Sequence, residues 1–277
     1  MRNLLALLLA IGLLALPGCA GPTASEHASE GEGGYPTVVS LNPCTDAVAV
    51  EIAAPGQVLA ISHYSHDPSA SSMHLAAARR FPATGGTVEE VLALDPDMVV
   101  AGAFMPPATR RALEDLGIRV ETFGIASSIA QSQAQVMRMG DLLGRPAEAS
   151  ALAERIETAV ARLASSGEPT DAVLWQPGGI VPGDATLVGE LLRKAGFDNY
   201  AAARGMEQAS YLPLEAVLAD PPEVLLVAGN ERGQHHVALR GVEGMTIAPF
   251  DPALLYCGGP TIVRAAERIG QIRDETS

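Results

Sequence analysis

Aromatic residues make up only 4% of the 277-residue chain, with a single tryptophan, so any aromatic-lined surface draws on few candidates. Positive charge is also short: 18 Lys+Arg stand against 32 Asp+Glu, a formal net charge of −14. That balance excludes a nucleic acid-tracking surface, which needs clustered cations for phosphates. No apolar run reaches the ~20 residues of a membrane-spanning helix. There is no HExxH, no CxxC pair, no His- and Asp-rich loop, no GxGxxG and no phosphate loop, and with them go the usual grounds for metalloprotease, dithiol, dinucleotide or P-loop chemistry. The three cysteines are Cys19, Cys44 and Cys257.

The most informative thing present is a repeat. Residues 87–100, TVEEVLALDPDMVV, return in altered form at 213–226 as PLEAVLADPPEVLL. Glu89 aligns with Glu215, Val91 with Val217, Leu92 with Leu218 and Pro96 with Pro222. Each copy reads as a short helix, a proline-containing turn and a β-branched apolar run suited to a buried strand. The separation far exceeds the ~20–50 residues of a solenoid unit. It predicts two similar α/β lobes, with a cleft between them as the place to look for function.

Residues 1–18 read as an export signal: Arg2, an apolar stretch from Leu4 to Leu16, then a small-residue processing region. Leu16-Pro17-Gly18-Cys19 resembles a bacterial lipobox, which makes Cys19 the expected lipidation site. Ordinary cleavage after Ala20 is the competing reading. Residues 19–36, rich in Ala, Ser, Glu and Gly, read as a flexible tether.

Strand and helix signals alternate through the rest. Val38–Leu41 is a strand. A helix over 45–54 follows, with Thr45 or Asp46 as its cap, and Val58–Ile61 is the next strand. Arg119–Phe123 and Asp171–Trp175 read as strands, Thr186–Ala195 as a helix, Thr246–Ala248 as a last strand and Thr261–Ile272 as a last helix. Such alternation implies mostly parallel sheets. Leu152, Ile156, Val160 and Leu163 form one stripe at helical spacing after Pro146. A helix over residues 147–166 spans about 30 Å and reads as a connector between an N-terminal lobe (37–145) and a C-terminal lobe (168–277), the connecting segment being 146–167.

These pieces, in order, resemble the periplasmic substrate-binding proteins of ABC importers. They include Val38-Val39-Ser40-Leu41 with Pro43 and Thr45, Glu89 through Val100, Gly144 before the connecting helix, Leu191-Leu192 with Ala195-Gly196, Glu215 to Leu218, and Gly259-Pro260. They resemble the class joined by a single long helix, which includes vitamin B12, ferric siderophore and haem receptors. The resemblance runs from about Thr37 to Ile272. It implies two Rossmann-like lobes with mostly parallel sheets, an exported receptor rather than an enzyme, no cofactor, and a permease dimer with its ATPase as partner. It also implies that Glu89 and Glu215 dock on the two permease subunits, one from each lobe. The alternative for these glutamates is a favourable placement at a helix N-terminus.

Ser62-His63-Tyr64-Ser65-His66-Asp67-Pro68 is similar to the loop that, in vitamin B12-binding members, sets a tyrosine against the corrin. The chain departs from those members at Gly102, near a tryptophan position, and at Thr261, near an arginine position. The expected ligand-contacting set is Asn42, Cys44, Thr45, His63, Tyr64, Ser65, Phe104, Trp175, Tyr211, Tyr256 and Cys257, because ligands of parallel sheets sit beyond strand carboxyl ends. Ordinary core packing is the alternative for each aromatic. His63 and His66 are weak metal candidates, and His235-His236 weaker still. Cys44 and Cys257 are expected as two separate thiols, since a bridge across a cleft would hinder opening; a disulfide is the alternative. Cys44 acting as a nucleophile with His63 lacks a third, orienting residue. Arg204, Arg232 and Arg264 are the only arginines near the expected rim, too few for a trianionic ferric catecholate. A bulky neutral or apolar ligand fits better, with cobalamin first and a ferric siderophore or haem second. An exported enzyme or an assembly factor on the same fold is the alternative from another class.

Overall fold

The computed structural model describes residues 34–164 and 167–276. Cys19 and the predicted signal therefore lie outside the described residues, as does the predicted tether except for its last three positions.

The first lobe runs β1 (Val38–Ser40), α1 (Pro43–Ile52), β2 (Val58–Ser62), α2 (Leu75–Ala78), β3 (Ala83–Thr84), α3 (Val88–Leu94), β4 (Met98–Gly102), α4 (Pro107–Asp115), β5 (Arg119–Phe123) and α5 (Ile129–Leu142). Then come α6 (Pro146–Ala161) and the second lobe: β6 (Thr170–Trp175), β7 (Ile180–Val181), α7 (Leu187–Lys194), β8 (Phe197–Asn199), α8 (Tyr200–Ala203), β9 (Ser210–Tyr211), α9 (Leu214–Ala219), β10 (Val224–Ala228), β11 (Thr246–Phe250) and α10 (Pro260–Glu275).

The two principal sheets are parallel throughout and share one plan. The first is ordered β3-β2-β1-β4-β5 and the second β11-β10-β6-β8. Set β1 on β6 and β4 on β10, and β2 falls on β8 and β5 on β11. The two repeat copies thus become α3-β4 and α9-β10, the same helix-turn-strand unit in each lobe. Val38, Val39, Val99 and Val100 of the first sheet and Leu225 and Leu226 of the second are 0% exposed, as β-branched and Leu-rich runs covered on both faces should be.

Several local expectations change. The cap of α1 is Asn42, whose side chain accepts from the Cys44 amide, and Pro43 occupies the first turn, where a missing N–H is harmless. Helix α6 has 16 residues and ends at Ala161, so it spans about 24 Å, shorter than expected. Ser165-Ser166-Gly167 in the sequence is poor helix-forming material. Nor is α6 a bare strut. It packs against α5, where a side chain on Gly140 would come within 2.3 Å of the Ala149 methyl, and against α10. Leu152 and Ile156 of α6, Val136 and Met139 of α5 and Ile269 of α10 belong to one apolar core that reaches into both lobes. Tyr35, assigned to the tether, is held instead: the Arg145 guanidinium lies 5.0 Å from its ring centre, and Gln57 Nε2 donates to the adjoining Pro36 carbonyl.

Candidate ligand cleft

Where strand order reverses in a parallel sheet, the loops on either side part and leave a crevice. In the first lobe that point lies between β1 and β4. Asn42 follows β1; Ala103 and Phe104 follow β4. With Cys44, Gln135, Tyr256 and Gly258 they line a pocket of about 90 Å³. A Cβ on Gly102 would meet Asn42 Nδ2 at 2.9 Å, so a bulky residue there would have to displace the amide that caps α1. The corresponding point of the second lobe, between β6 and β10, is filled. Gln234 is 4% exposed and its Nε2 donates to the carbonyls of Trp175 and Ala228.

A pocket of about 90 Å³ is well below the ~300–1,000 Å³ of most small-molecule sites, so it can take only a protruding part of a bulky ligand. Three large apolar side chains of its lining are left in water, Phe104 at 84% exposure, Ile125 at 65% and Tyr256 at 53%, and Tyr64 and Tyr211 are exposed as well, at 52% and 65%. Tyr64 and Phe104 follow β2 and β4, Ile125 follows β5, Tyr211 ends β9, and Tyr256 lies on the segment after β11. An exposed aromatic has a hydration cost that a ligand's apolar face can relieve.

Tyr64 is carried on a three-ten turn, His63–His66, that is fastened from below. Asp46 of α1 is 0% exposed, and its Oδ2 accepts from the Ser62 amide at 3.1 Å and from the Ser65 hydroxyl at 2.6 Å. Burial pushes the Asp46 carboxyl up to about 7, against the opposing pull of hydrogen bonds from Ser40, Ser65 and the amides of Ser62 and Asn42. The Ser40 hydroxyl is shared with Thr45 Oγ1 at 2.8 Å, and Asp46 Oδ1 has no partner of good geometry among the described residues. His63 packs on Tyr64 with ring centres 4.1 Å apart. His63 Nδ1 lies 3.2 Å from the Thr84 carbonyl and His66 Nε2 3.1 Å from that of Ala78. A carbonyl only accepts, so each of these nitrogens carries the proton. His235 and His236 are exposed, and His236 Nδ1 accepts from the Ala238 amide. Among the described residues no three His, Cys, Asp or Glu side chains gather as a metal site would require.

The remaining expected contacts divide into two groups. Asn42 and Cys44 reach the first-lobe pocket, but Thr45 and Ser65 are buried, with their hydroxyls bonded inside the protein. Trp175 belongs to the second-lobe core: it is 3% exposed and its indole N–H donates to the Leu212 carbonyl at 2.9 Å. Its place at the end of β6 suggested a cleft wall, but the antiparallel β7-β9 pair, whose residues gave no clear sequence signal, packs at that end. The separate-thiol expectation fails: Cys44 and Cys257 form a disulfide, S–S 2.09 Å. That also removes the free thiol on which a Cys44 nucleophile would depend. Ile125 was missed; an isolated apolar residue in a loop gives no periodic signal.

Cations are sparse at this rim. Arg204 is ion-paired with Asp220 at 2.6 Å and lies 3.7 Å from Asp171, which is at the start of β6, away from the strand's carboxyl end. Arg264 donates to the Ser72 carbonyl from α10. Of the three arginines, only Arg232 lies on a loop leaving a strand's carboxyl end. Glu89 and Glu215 both sit in the first turn of their helices, exposed, with no hydrogen bond or ion pair among the described residues.

Comparison with known proteins agrees with this architecture. A cobalamin-binding protein of Halobacterium salinarum is 28% identical over 212 residues, covering 74% of this chain and 57% of the relative. The chain thus matches little more than half of that relative's length. A periplasmic haem-binding protein from Roseiflexus sp. RS-1 superposes with a TM-score of 0.65 at 22% identity, over 88% of this chain and 98% of the other. The periplasmic vitamin B12-binding protein of Vibrio cholerae gives 0.65 at 16% identity, over 87% and 98%. The haem-binding protein of the same organism gives 0.70 at 16%, over 85% and 98%. At these identities the structural likenesses concern the fold. The family model described as periplasmic binding protein matches residues 38–244, well over half of the sequence, and the chain belongs to that family.

Proposed function

We propose that this protein is an exported receptor that captures a bulky, mainly neutral chelate, cobalamin first, and delivers it to an inner-membrane ABC permease. The observation that carries the reading is a crevice lined by exposed Phe104, Ile125 and Tyr256 with no Lys or Arg in its lining, Tyr64 and Tyr211 being exposed as well. Stacking and desolvation of such rings suit a broad, partly apolar ligand; a trianion would need several arginines, and of the three candidates only Arg232 lies at a strand's carboxyl end. The cobalamin-binding relative from Halobacterium salinarum supports the same choice. Haem or a ferric siderophore is the second reading, favoured by the exposed Tyr64 phenol beside His63, a pair able to face iron. No bond is broken in this role; the transporter's ATPase supplies the work. Placement in the periplasm, through a lipid on Cys19, completes the proposal. No helix among the described residues is long and apolar enough to cross a membrane.

The ligand is tested by thermal unfolding with cyanocobalamin, haemin and a ferric catecholate. At a hundredfold excess over Kd a specific ligand adds about 2.7 kcal/mol to stability. A raised Tm with cyanocobalamin alone is expected. Silence with every corrin and iron compound would overturn the ligand reading.

Docking rests on one free carboxylate at corresponding positions of two lobes with the same strand order. Such a pair fits a permease dimer with twofold symmetry. Glu89→Arg with Glu215→Arg should abolish uptake in cells while leaving ligand affinity unchanged. Normal uptake by that double variant would remove the docking role.

A further inference from the structure

The Cys44–Cys257 bridge joins parts of the chain 213 residues apart, one in the first turn of α1, the other on the segment after β11. That segment comes from the second-lobe sheet yet is seated on first-lobe residues at three places. Beside α5, the Gly259 amide donates to Ser132 Oγ at 2.7 Å, and a side chain on Gly258 would meet the same oxygen at 2.3 Å. Against α1, a Cβ on Gly259 would come within 2.6 Å of Val48. Before α2, the Ser72 hydroxyl donates to Cys257 Sγ at 2.8 Å, and the Ser72 carbonyl accepts from Arg264 at 3.0 Å. Two glycines in succession permit this closeness, and the covalent bond holds it. Tyr256, next in sequence to Cys257, is thereby fixed at the mouth of the first-lobe pocket that Cys44 also lines. The contacts surround the pocket where a ligand would enter, so the bridge bears on binding as well as on folding.

We infer that the Cys44–Cys257 disulfide is a positioning element of the ligand cleft, holding Tyr256 against the α1 wall so that ligand affinity depends on the oxidised cystine. The inference rests on the receptor reading above. Reduction by dithiothreitol transfers two electrons and two protons to the cystine, giving two thiols, while the reagent closes to its own cyclic disulfide. The segment then depends on hydrogen bonds to Ser72 and Ser132 and on glycine packing, and a ligand must re-order Tyr256 and its neighbours on binding, a loss of about tenfold in affinity.

The test uses the full chain, oxidised and reduced, with the Cys44→Ser/Cys257→Ser variant beside it. Cyanocobalamin and haemin affinities are measured by calorimetry, and amide exchange is followed across residues 251–264. The expected result is a Kd raised about tenfold or more by reduction, matched by the double variant, which itself ignores the reductant. Far-UV dichroism and a cooperative melt should persist, with faster exchange confined to 251–264 and the loop carrying Phe104. Equal Kd in both redox states overturns the inference even where Tm falls, because the bridge would then be only a stabiliser. Global loss of structure on reduction of the native chain overturns it too. Should no probe bind the oxidised protein, the ligand reading fails and exchange alone decides: local loosening upholds the positioning role, and unchanged or uniform exchange overturns it.

Discussion

Asp46 couples the stability of this protein to pH, and its effect has a definite sign. In the unfolded chain its carboxyl titrates near the ordinary 3.8; in the fold, burial raises this to about 7. Between those values the native state holds a proton that the unfolded state has released. Stability therefore falls as pH rises from about 4 to 7, the reverse of the usual salt-bridged aspartate. Three pKa units correspond to on the order of 4 kcal/mol, fully expressed above the folded value. In Asp46→Asn the carbonyl can still accept from Ser62 and Ser65, and the amide replaces the unpartnered Oδ1, facing the Ser40 oxygen. The stability of the variant relative to the native protein should therefore rise by about 2–3 kcal/mol between pH 5 and pH 8. Urea unfolding of both proteins at the two pH values measures this, and the difference between proteins cancels carboxylates they share. A stability gap that is the same at both pH values would refute the reasoning.

Other substitutions separate core from cleft. Trp175→Phe strands the Leu212 carbonyl and should cost about 1–3 kcal/mol of stability, read by denaturant unfolding, with Kd unchanged; weakened binding at full stability would return Trp175 to the cleft wall. Phe104→Ala, at an 84%-exposed site, should do the opposite, lowering affinity with Tm nearly constant; an unchanged Kd would take Phe104 out of the ligand contact. Gly259→Ala forces a side chain onto a backbone at φ 62°, ψ −136° and into Val48, and should lower stability by about 1–3 kcal/mol or more; an unaltered melt would show that the segment is not held there.

What the sequence made legible follows from which forces are local. The repeat was readable because helix capping, a proline turn and a buried parallel strand each leave a periodic trace, and α3-β4 and α9-β10 fell where that trace placed them. Strands of two or three residues, such as β3, β7, β8 and β9, are too short to show a period, and α5 was passed over although Ser128 caps it in the ordinary way. The candidate site was legible by position only. Being near a strand's carboxyl end placed Tyr64, Phe104 and Trp175 alike, yet burial separates them: Trp175 is covered where β7 pairs with β9, which is some thirty residues further along the chain, and Tyr64 is exposed. The disulfide was equally out of reach, because spatial proximity across 213 residues leaves no mark on spacing.

The two lobes share a strand order but not a use of it. The first-lobe switch point is open and its floor is made of a capping amide, a glycine and half of a cystine, whereas Gln234 closes the second by satisfying two carbonyls at once. A ligand lying between the lobes therefore meets a crevice on one side and a filled surface with an exposed Tyr211 on the other. That asymmetry predicts a single bound orientation, with the ligand's protruding group in the first lobe and its flat face against the second. Gln234→Ala would open the closed side, leaving the Trp175 and Ala228 carbonyls in need of water. If the orientation is set by that closure, the variant should bind a flat probe such as haemin in more than one pose, seen as a broadened or split visible spectrum. One sharp spectrum identical to that of the native complex would show that the first-lobe crevice alone fixes the pose.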